Sequence, residues 1–519
     1  MASDTNVETF NAEAVNAKHN RELYAARQKI HPKRASGSFR SLKWIIMAVT
    51  LGIYYITPWL RWDRGEFAPD QAVLVDMANR RFYFFFIDIW PHEFFFVAGM
   101  LVMAGIGLFL VTSTVGRAWC GYTCPQTVWV DLFLVVERFF EGDRNARIKL
   151  DAAPWDSAKT IKRASKHVVW LLIAVSTGGA WIFYFADAPT LLKDFVTGNA
   201  AFVAYATVGV LTATTYVFGG LMREQVCTYM CPWPRIQAAM LDEHSLTVTY
   251  NDWRGEPRTR HAKKAIAAGE IVGDCVDCNA CVAVCPMGID IRDGQQLECI
   301  TCALCIDACD GVMEKIGRDK GLISYSTLST YNQNMALATG SNPGAGIQPQ
   351  LVRPEGKLAA AVQHFNWRNV IRVRTAIYTA IYAAIGLGLI AALLMRSPLD
   401  VNVLHDRNPQ FVQLSDGSIR NGYQIKILNM RTEPRSFSIA LDGLAGATLK
   451  LEGSDLAQND DGTVDVKANQ LRNVRAFVTL SKDAIAAKTT DFAFKIVDTT
   501  SADTVAANVR FEAPSGTGQ

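Results

Sequence analysis

Cys275, Cys278, Cys281 and Cys285 follow the spacing C-x2-C-x2-C-x3-C, with Pro286 next, and Cys299, Cys302, Cys305 and Cys309 repeat it. Three thiolates on one tight loop hold one face of an iron–sulfur cubane, and a distant fourth closes it. In the bacterial two-cluster pattern the fourth cysteine of each run ligates the other cluster. The spacing therefore assigns Cys275, Cys278, Cys281 and Cys309 to one [4Fe–4S] cluster, and Cys299, Cys302, Cys305 and Cys285 to a second. Ala280, Ala283, Ala303 and Ala308 are small enough to leave room for the inorganic core. C-x2-C pairs also build structural zinc sites, an alternative that the doubled run disfavours. Asp310 follows the second run where many ferredoxins carry proline, which bears on the turn and not on ligation.

The other four cysteines form a second constellation. Cys120-Gly121-Tyr122-Thr123-Cys124-Pro125 and Cys227-Thr228-Tyr229-Met230-Cys231-Pro232 are one C-x-Y-x-C-P motif used twice, each with an arginine just before it, Arg117 and Arg223. Cysteines four apart on a helix share a face, so each pair can chelate one soft metal, and thiolates prefer Cu(I), zinc or iron–sulfur. Three readings stay open: a copper or other metal site shared by the repeats, a thiol pair cycling through a disulfide, and cysteines that pack a helix turn. Tyr122 and Tyr229 read equally well as hydrogen-bonding partners of a redox site and as ordinary interfacial tyrosines. His92, His167, His244 and His261 lie near membrane ends or in polar loops, and no two spans each carry the mid-membrane histidine that haem would need.

All twelve cysteines fall between Cys120 and Cys309, in tight groups rather than spread as a disulfide framework. The elements that must position them are membrane helices. Leu42–Leu60, Phe94–Thr114, Val168–Ala186, Ala201–Met222 and Ala376–Met395 approach the roughly 20 residues needed to cross a bilayer, with Trp and Tyr near their ends as interfacial belts require. Phe82–Trp90 is shorter, precedes Pro91 and reads as an interfacial or re-entrant segment. Lys and Arg crowd the N-terminal tail and residues 115–167, whereas 188–199 holds only Lys193; this excess marks the cytoplasmic side. The first forty residues lack the apolar core of a signal peptide. The net charge of +3 gives no reason to expect nucleic-acid binding.

The expected architecture is a membrane α-helical bundle of about five spans, with an inserted two-cluster ferredoxin domain and a C-terminal immunoglobulin-like β-sandwich. Residues 1–41 form a cytoplasmic tail and 42–254 the four-helix region with both C-x3-C-P motifs. The ferredoxin domain occupies 255–328, a cytoplasmic linker 329–372, the fifth helix 373–396 and the periplasmic sandwich 397–519. The sandwich rests on period-two alternation in Tyr423–Leu428, Phe437–Leu441, Val474–Leu480, Phe492–Val497 and Val509–Phe511.

Trp119–Trp129, Val226–Gln237, the run from Cys275 to Asp310 and Gly317–Tyr325 together resemble the FixG/RdxA/CcoG family. Its members are cytochrome c oxidase accessory proteins, related to the NapH and NosR membrane ferredoxins, and end in an immunoglobulin-like domain. Gly317–Gly321 departs slightly from the usual family form and touches no ligand position. The resemblance implies an enzyme of the bacterial inner membrane that reduces Cu(II) to Cu(I) for assembly of a cbb-type oxidase. On it, the eight ferredoxin cysteines are cluster ligands, and Cys120, Cys124, Cys227 and Cys231 are the copper-binding and copper-reducing thiols. The implied partners are oxidase assembly factors or a copper chaperone or transporter, with a homodimer as one arrangement of the protein itself. No phosphate loop, flavin motif or dinucleotide fingerprint is evident, so the electron donor is another protein or a membrane quinol. Two other readings stand beside this one: a quinol-oxidising respiratory subunit without copper chemistry, and a non-enzymatic assembly scaffold.

Overall fold

The structure, a computed structural model, describes residues 7–16, 29–270, 272–339, 362–452, 463–485 and 487–514. The chain divides into two compact units, Met1–Leu60 with Val73–Leu389, and Arg61–Ala72 with Ile390–Gln519.

Among the described residues of the chain, Ser38–Trp59, Pro91–Val115, Phe202–Met222 and Val373–Leu394 are helices long and apolar enough to cross a membrane. Their polarity is inverted relative to a soluble helix. In Ser38–Ile56 the buried residues are Arg40, Lys43 and Met47, while Ile45, Val49 and Ile53 face outward. That arrangement suits an apolar solvent, with polar groups turned to the bundle interior. The fifth expected span, 168–186, lies mostly in a 26-residue helix, Ser157–Ile182, that does not meet the same standard. Lys159, Lys162, Arg163 and Lys166 open it, and Ser176-Thr177-Gly178-Gly179 dilutes its apolar half. Trp170, Ala174 and Thr177 are buried at helical spacing, and a Cβ on Gly178 would stand 3.0 Å from the Val208 carbonyl oxygen. This helix is built to pack against neighbours.

Residues Phe82–Trp90, expected as an interfacial or re-entrant segment, form strands. They supply Arg81–Phe84 and Ile87–Ile89 to a three-stranded antiparallel sheet with Val73–Asp76, in the register Val73↔Phe84 and Phe82↔Ile89. The aromatic, β-branched run is strand-forming on its own terms, and Phe85, at φ 51°, makes the turn.

The ferredoxin segment is closed at its base by a two-stranded ribbon, Thr247–Tyr250 paired with Ile323–Ser326. Part of the N-terminal segment lies along it. The Phe10 amide donates to the Cys278 carbonyl at 2.9 Å, Asn16 N to Gly288 O at 2.9 Å, and Lys33 N to Ala283 O at 2.7 Å. Phe10 is buried among Ala280, Ala283 and Cys278. The segment expected as a linker opens with a helix, Leu328–Thr339, in which Tyr331, Met335 and Ala338 pack on Trp253. Residues 340–361 of that linker lie outside the described residues.

In the second unit the alternation predicts a sandwich and the structure has one. One sheet orders Ala447–Glu452, Leu471–Leu480, Ile419–Asn429 and Leu399–His405, with Val412–Gln413 also on Ile419–Asn429; the other orders Thr463–Val466, Arg435–Asp442, Thr489–Asp498 and Thr504–Glu512. Ile419, Tyr423, Ile425 and Ile427 from one sheet meet Phe437, Phe494, Ile496 and Phe511 from the other. The Tyr423 hydroxyl donates to the Arg510 carbonyl at 2.7 Å.

Candidate metal and thiol sites

The two ferredoxin runs share one backbone conformation. Asp277 (φ 47°) and Asn279 (φ 57°) flank Cys278; Thr301 (φ 56°) and Ala303 (φ 60°) flank Cys302 in the same places. Left-handed backbone is unfavourable for Thr and Ala, and such strain gathers at functional sites. Here it curls each loop so that its thiols face inward. Short helices, Ala280–Val284 and Leu304–Lys315, follow immediately. Arg292 pins the first loop, donating to Asp277 at 2.7 Å and to the Asn279 side chain at 2.8 Å. Asp310, in the place of the common proline, accepts the Gly321 amide at 2.8 Å and so ties down the 317–321 turn.

The eight thiols fall into two neighbourhoods. Cys309 lies in the field of Cys281, Cys275 and Cys278, and burial pushes its thiol well up. Burial likewise raises Cys305, in the field of Cys302, Cys299, Cys285 and Cys281, and lifts Cys285 to about 12. Cys285, Cys299, Cys302 and Cys305 line one cavity, together with Cys281 and the apolar Met287, Ile289 and Ile300. A dry, all-thiol donor set that is costly to ionise when empty is one that metal stabilises, since binding displaces the proton. These residues fit [4Fe–4S] clusters, and the crossed ligation is the arrangement expected from the spacing. Cys285→Ser is then expected to lower iron from about eight to about four per chain. Its remaining paramagnetic signal should match that of Cys302→Ser; a match to Cys278→Ser would overturn the crossing.

The two C-x3-C-P motifs also repeat in backbone. Each is a π-helical turn, Trp119–Thr123 and Val226–Met230, ended by an extended cysteine. Cys124 N donates to Trp119 O at 2.9 Å and Cys231 N to Val226 O at 2.8 Å. Single π-turns recur at functional sites. Pro125 then starts the helix Pro125–Glu141, and Pro232 precedes Trp233–Met240, where a missing N–H costs nothing. The motifs meet. Burial raises the Cys120 thiol to about 11 with Cys124 and Cys231 adding to the shift, and raises Cys227 to about 12 with Cys124, Cys120 and Cys231 adding. Cys120 is buried, Cys124 and Cys227 are half-buried, and Cys231 is exposed. Among the described residues no three His, Cys, Asp or Glu side chains stand close enough to share one metal ion; the four thiols are neighbours, not a preformed mononuclear site.

The thiol site abuts the second cluster loop. A Cβ on Gly121 would stand 2.7 Å from the Ile300 carbonyl oxygen and 3.1 Å from the Cys302 Cα, so only glycine allows this approach. Tyr122 Oη donates to Cys302 O at 3.3 Å, and Tyr325 Oη to Thr301 O at 2.6 Å. Cys120 and Cys227 pack in one apolar cluster with Ile300, Cys302 and Cys285. Arg117, buried, donates to the Leu297 carbonyl and, at 3.4 Å, to Gln237 Oε1, which also accepts from Cys120 Sγ at 3.0 Å. Arg223 instead donates to Glu137 at 3.0 Å. Gln237 and Glu137 escaped the sequence reading. The available signal was a polar residue on an otherwise apolar helical face. Tyr229 is exposed and Tyr122 is not, which separates two positions the repeat made equal. Among the histidines, His167 Nδ1 is bonded to the Tyr216 hydroxyl at 2.8 Å, a packing role.

Residues 222–328 match a family described as a 4Fe-4S dicluster domain, residues 96–141 one described as a 4Fe-4S binding domain, and residues 389–514 the Ig-like fold at the C-terminal of FixG. The nitrogen fixation protein FixG of Rhizobium meliloti is 63% identical over 98% of this chain and 98% of its own length. Protein RdxB of Cereibacter sphaeroides is 55% identical over 90% of this chain and 92% of its own, and protein RdxA of the same organism 55% over 88% and 90%.

Proposed function

The chain belongs to the FixG/RdxA family of membrane iron–sulfur electron-transfer proteins, and from that premise we propose that it reduces Cu(II) to Cu(I) at Cys120, Cys124, Cys227 and Cys231, for assembly of a cbb-type cytochrome c oxidase. The observation that carries the reading is the convergence of the two π-turn motifs on one spot, against the Ile300–Cys302 backbone. Bound at their eight cysteines, the [4Fe–4S] clusters would supply electrons one at a time.

The chain's own residues supply the rest. Exposed Cys231 and half-buried Cys124 are placed to meet Cu(II) from outside, while buried Cys120 and half-buried Cys227 pack in one apolar cluster. Soft thiolates hold the Cu(I) product better than the Cu(II) substrate, so the same four groups favour the reduced ion. Each thiol that takes up copper gives up its proton. Gln237 Oε1 accepts the Cys120 S–H and holds it in place until then. The excess of Lys and Arg in the N-terminal tail and in 115–167 supports placing this site and the clusters on the cytoplasmic side, with the sandwich periplasmic.

The test uses anaerobically purified full-length protein with its iron and sulfide counted. Given a chemical reductant in limiting amount, it should convert Cu(II) to Cu(I), trapped by a Cu(I)-specific chelator, faster than the reductant alone. No acceleration by cluster-replete protein would remove the copper reading and leave electron carriage.

A further inference from the structure

The two cluster loops differ in what covers them. Residues 7–16, part of the segment expected as a cytoplasmic tail, lie against the first. The Phe10 amide donates to the Cys278 carbonyl, and the Asn279 side-chain amide donates back to the Phe10 carbonyl at 3.3 Å. The Asn16 side chain donates to the Met287 carbonyl at 2.6 Å. Phe10 is 8% exposed and packs with Cys278, Ala280, Ala283, Ala308 and Val312. It therefore covers the first loop and also the helix that carries Cys309. Lys33 Nζ lies 3.9 Å from the centre of its ring and 2.9 Å from Glu8, which ties these residues to the segment that follows. Ala12 and Ala14 pack against the core cluster that holds Cys275 and Cys281.

The second loop has no such cover. A cleft of about 390 Å³, lined by Cys299, Thr301 and the half-exposed Leu297, opens beside it. That volume holds several water molecules. The thiols of the second loop share an apolar cavity, and Cys299 lines both that cavity and the cleft. Solvent thus stands one side chain away from the second donor set. A groove of about 250 Å³ also runs beside residues 11–15, but among the described residues no cysteine lines it. The cleft admits water to one cluster loop, and Phe10 holds it back from the other. Water favours the more negatively charged, reduced state of a thiolate-held centre, so exposure raises the potential and burial lowers it.

We propose that residues 7–16 are a lid on the first cluster, and that this unequal cover orders the two clusters in potential. Under the lid the first is the lower of the two. An electron then runs downhill from it to the second, whose loop abuts the thiol site at Gly121. The inference rests on the electron-transfer part of the reading above and not on its copper part. One electron moves per step, with the first centre oxidised and the second reduced, no bond made or broken and no proton released. Phe10 touches no reacting atom. It acts through Cys278 and is a positioning residue.

Potentiometric titration of the anaerobic full-length chain in detergent, without copper and followed by its paramagnetic signals, reads this order. Wild type should show two separate potentials, and the higher should be the one that survives in Cys278→Ser. Phe10→Ala should raise the lower potential, by about 59 mV for each tenfold gain in stability of the reduced centre, and leave the higher in place. Phe10→Leu should restore the wild-type pair. In air, Phe10→Ala should lose about four of its roughly eight irons faster than wild type does. Asn16→Ala, which loosens the lid away from the cysteines, should move both readouts the same way, and it decides the matter if Phe10→Ala fails to assemble. Equal potentials in wild type, or survival of the lower one in Cys278→Ser, overturn the ordering. Unchanged potentials and iron loss in both lid variants overturn the lid. A wild type without [4Fe–4S] centres removes the electron-transfer reading itself, whereas a failure of copper reduction leaves this inference standing.

Discussion

Replacing Cys120 and Cys227 together with serine is expected to lower Cu(II) reduction at least about 100-fold, with iron and sulfide content unchanged. Loss of groups that merely orient metal ligands costs about 10–100-fold in affinity or activity, and these two thiols are proposed to touch the copper itself. They are also the two of the four that pack in the apolar cluster with Ile300, Cys302 and Cys285. Serine keeps the volume and removes the soft donor. The double variant should therefore keep its packing, its dicluster spectrum and its fold.

The contrast with the outer pair sharpens the expectation. Serine at Cys124 and Cys231, which lie outside that cluster, should weaken copper capture, seen as a raised KM, more than it lowers kcat. If the inner double variant reduces copper at the wild-type rate, the thiols only pack the π-turns. If both pairs lower kcat alike and alkylation of the oxidised protein finds all four sulfurs protected, a disulfide cycle has replaced the metal site. Chelator-trapped Cu(I) and thiol labelling on the same samples separate these outcomes.

What could be read from the sequence divides along contact range. The ferredoxin runs were legible because all their chemistry sits within two short windows, and the left-handed residues at 277, 279, 301 and 303 only build what the spacing already demanded. The sandwich was legible because each strand reports its own burial by alternation. The meeting of Cys120 with Cys227 was not. It depends on Gln126 Nε2 reaching Phe218 O at 2.8 Å and Arg223 O at 3.2 Å, contacts between residues far apart in the chain. The π-turns were hidden too, since spacing of four fits an α-turn as well. One miss was readable in principle. Leu328, Tyr331, Met335 and Ala338 have helical spacing, masked by the Asn-, Ser- and Gly-rich composition downstream. In Ser157–Ile182 the buried Trp170, Ala174 and Thr177 mark a face packed on protein, while Leu171, Leu172 and Val175 stay exposed, a division that hydropathy alone does not report.

Glu137→Gln is expected to destabilise the membrane unit by about 3–5 kcal/mol, the cost of breaking a buried ion pair from one side. Glu137 is fully buried and its two oxygens serve three cations. Oε2 lies 2.9 Å from Arg147 and 3.0 Å from Arg223, and Oε1 3.6 Å from Lys166. Burial alone would raise its pKa, but Arg223, Arg147 and Lys166 outweigh it and hold the carboxyl at about 2. The unfolded value is near 4.3, so this group's stabilisation is complete above about pH 4.3 and is lost as pH falls through about 2. Wild type should accordingly lose roughly 3 kcal/mol more than Glu137→Gln between about pH 5 and pH 2, measured by denaturant unfolding in detergent. Parallel stability–pH curves for the two proteins would show that the carboxylate titrates alike in both states. The consequence reaches the thiols, because Glu137 sits on the helix that Pro125 starts and Arg223 stands just before Cys227. Loosening that tie lets one C-x3-C-P motif drift from the other, and copper reduction should fall in the variant even at a pH where it remains folded.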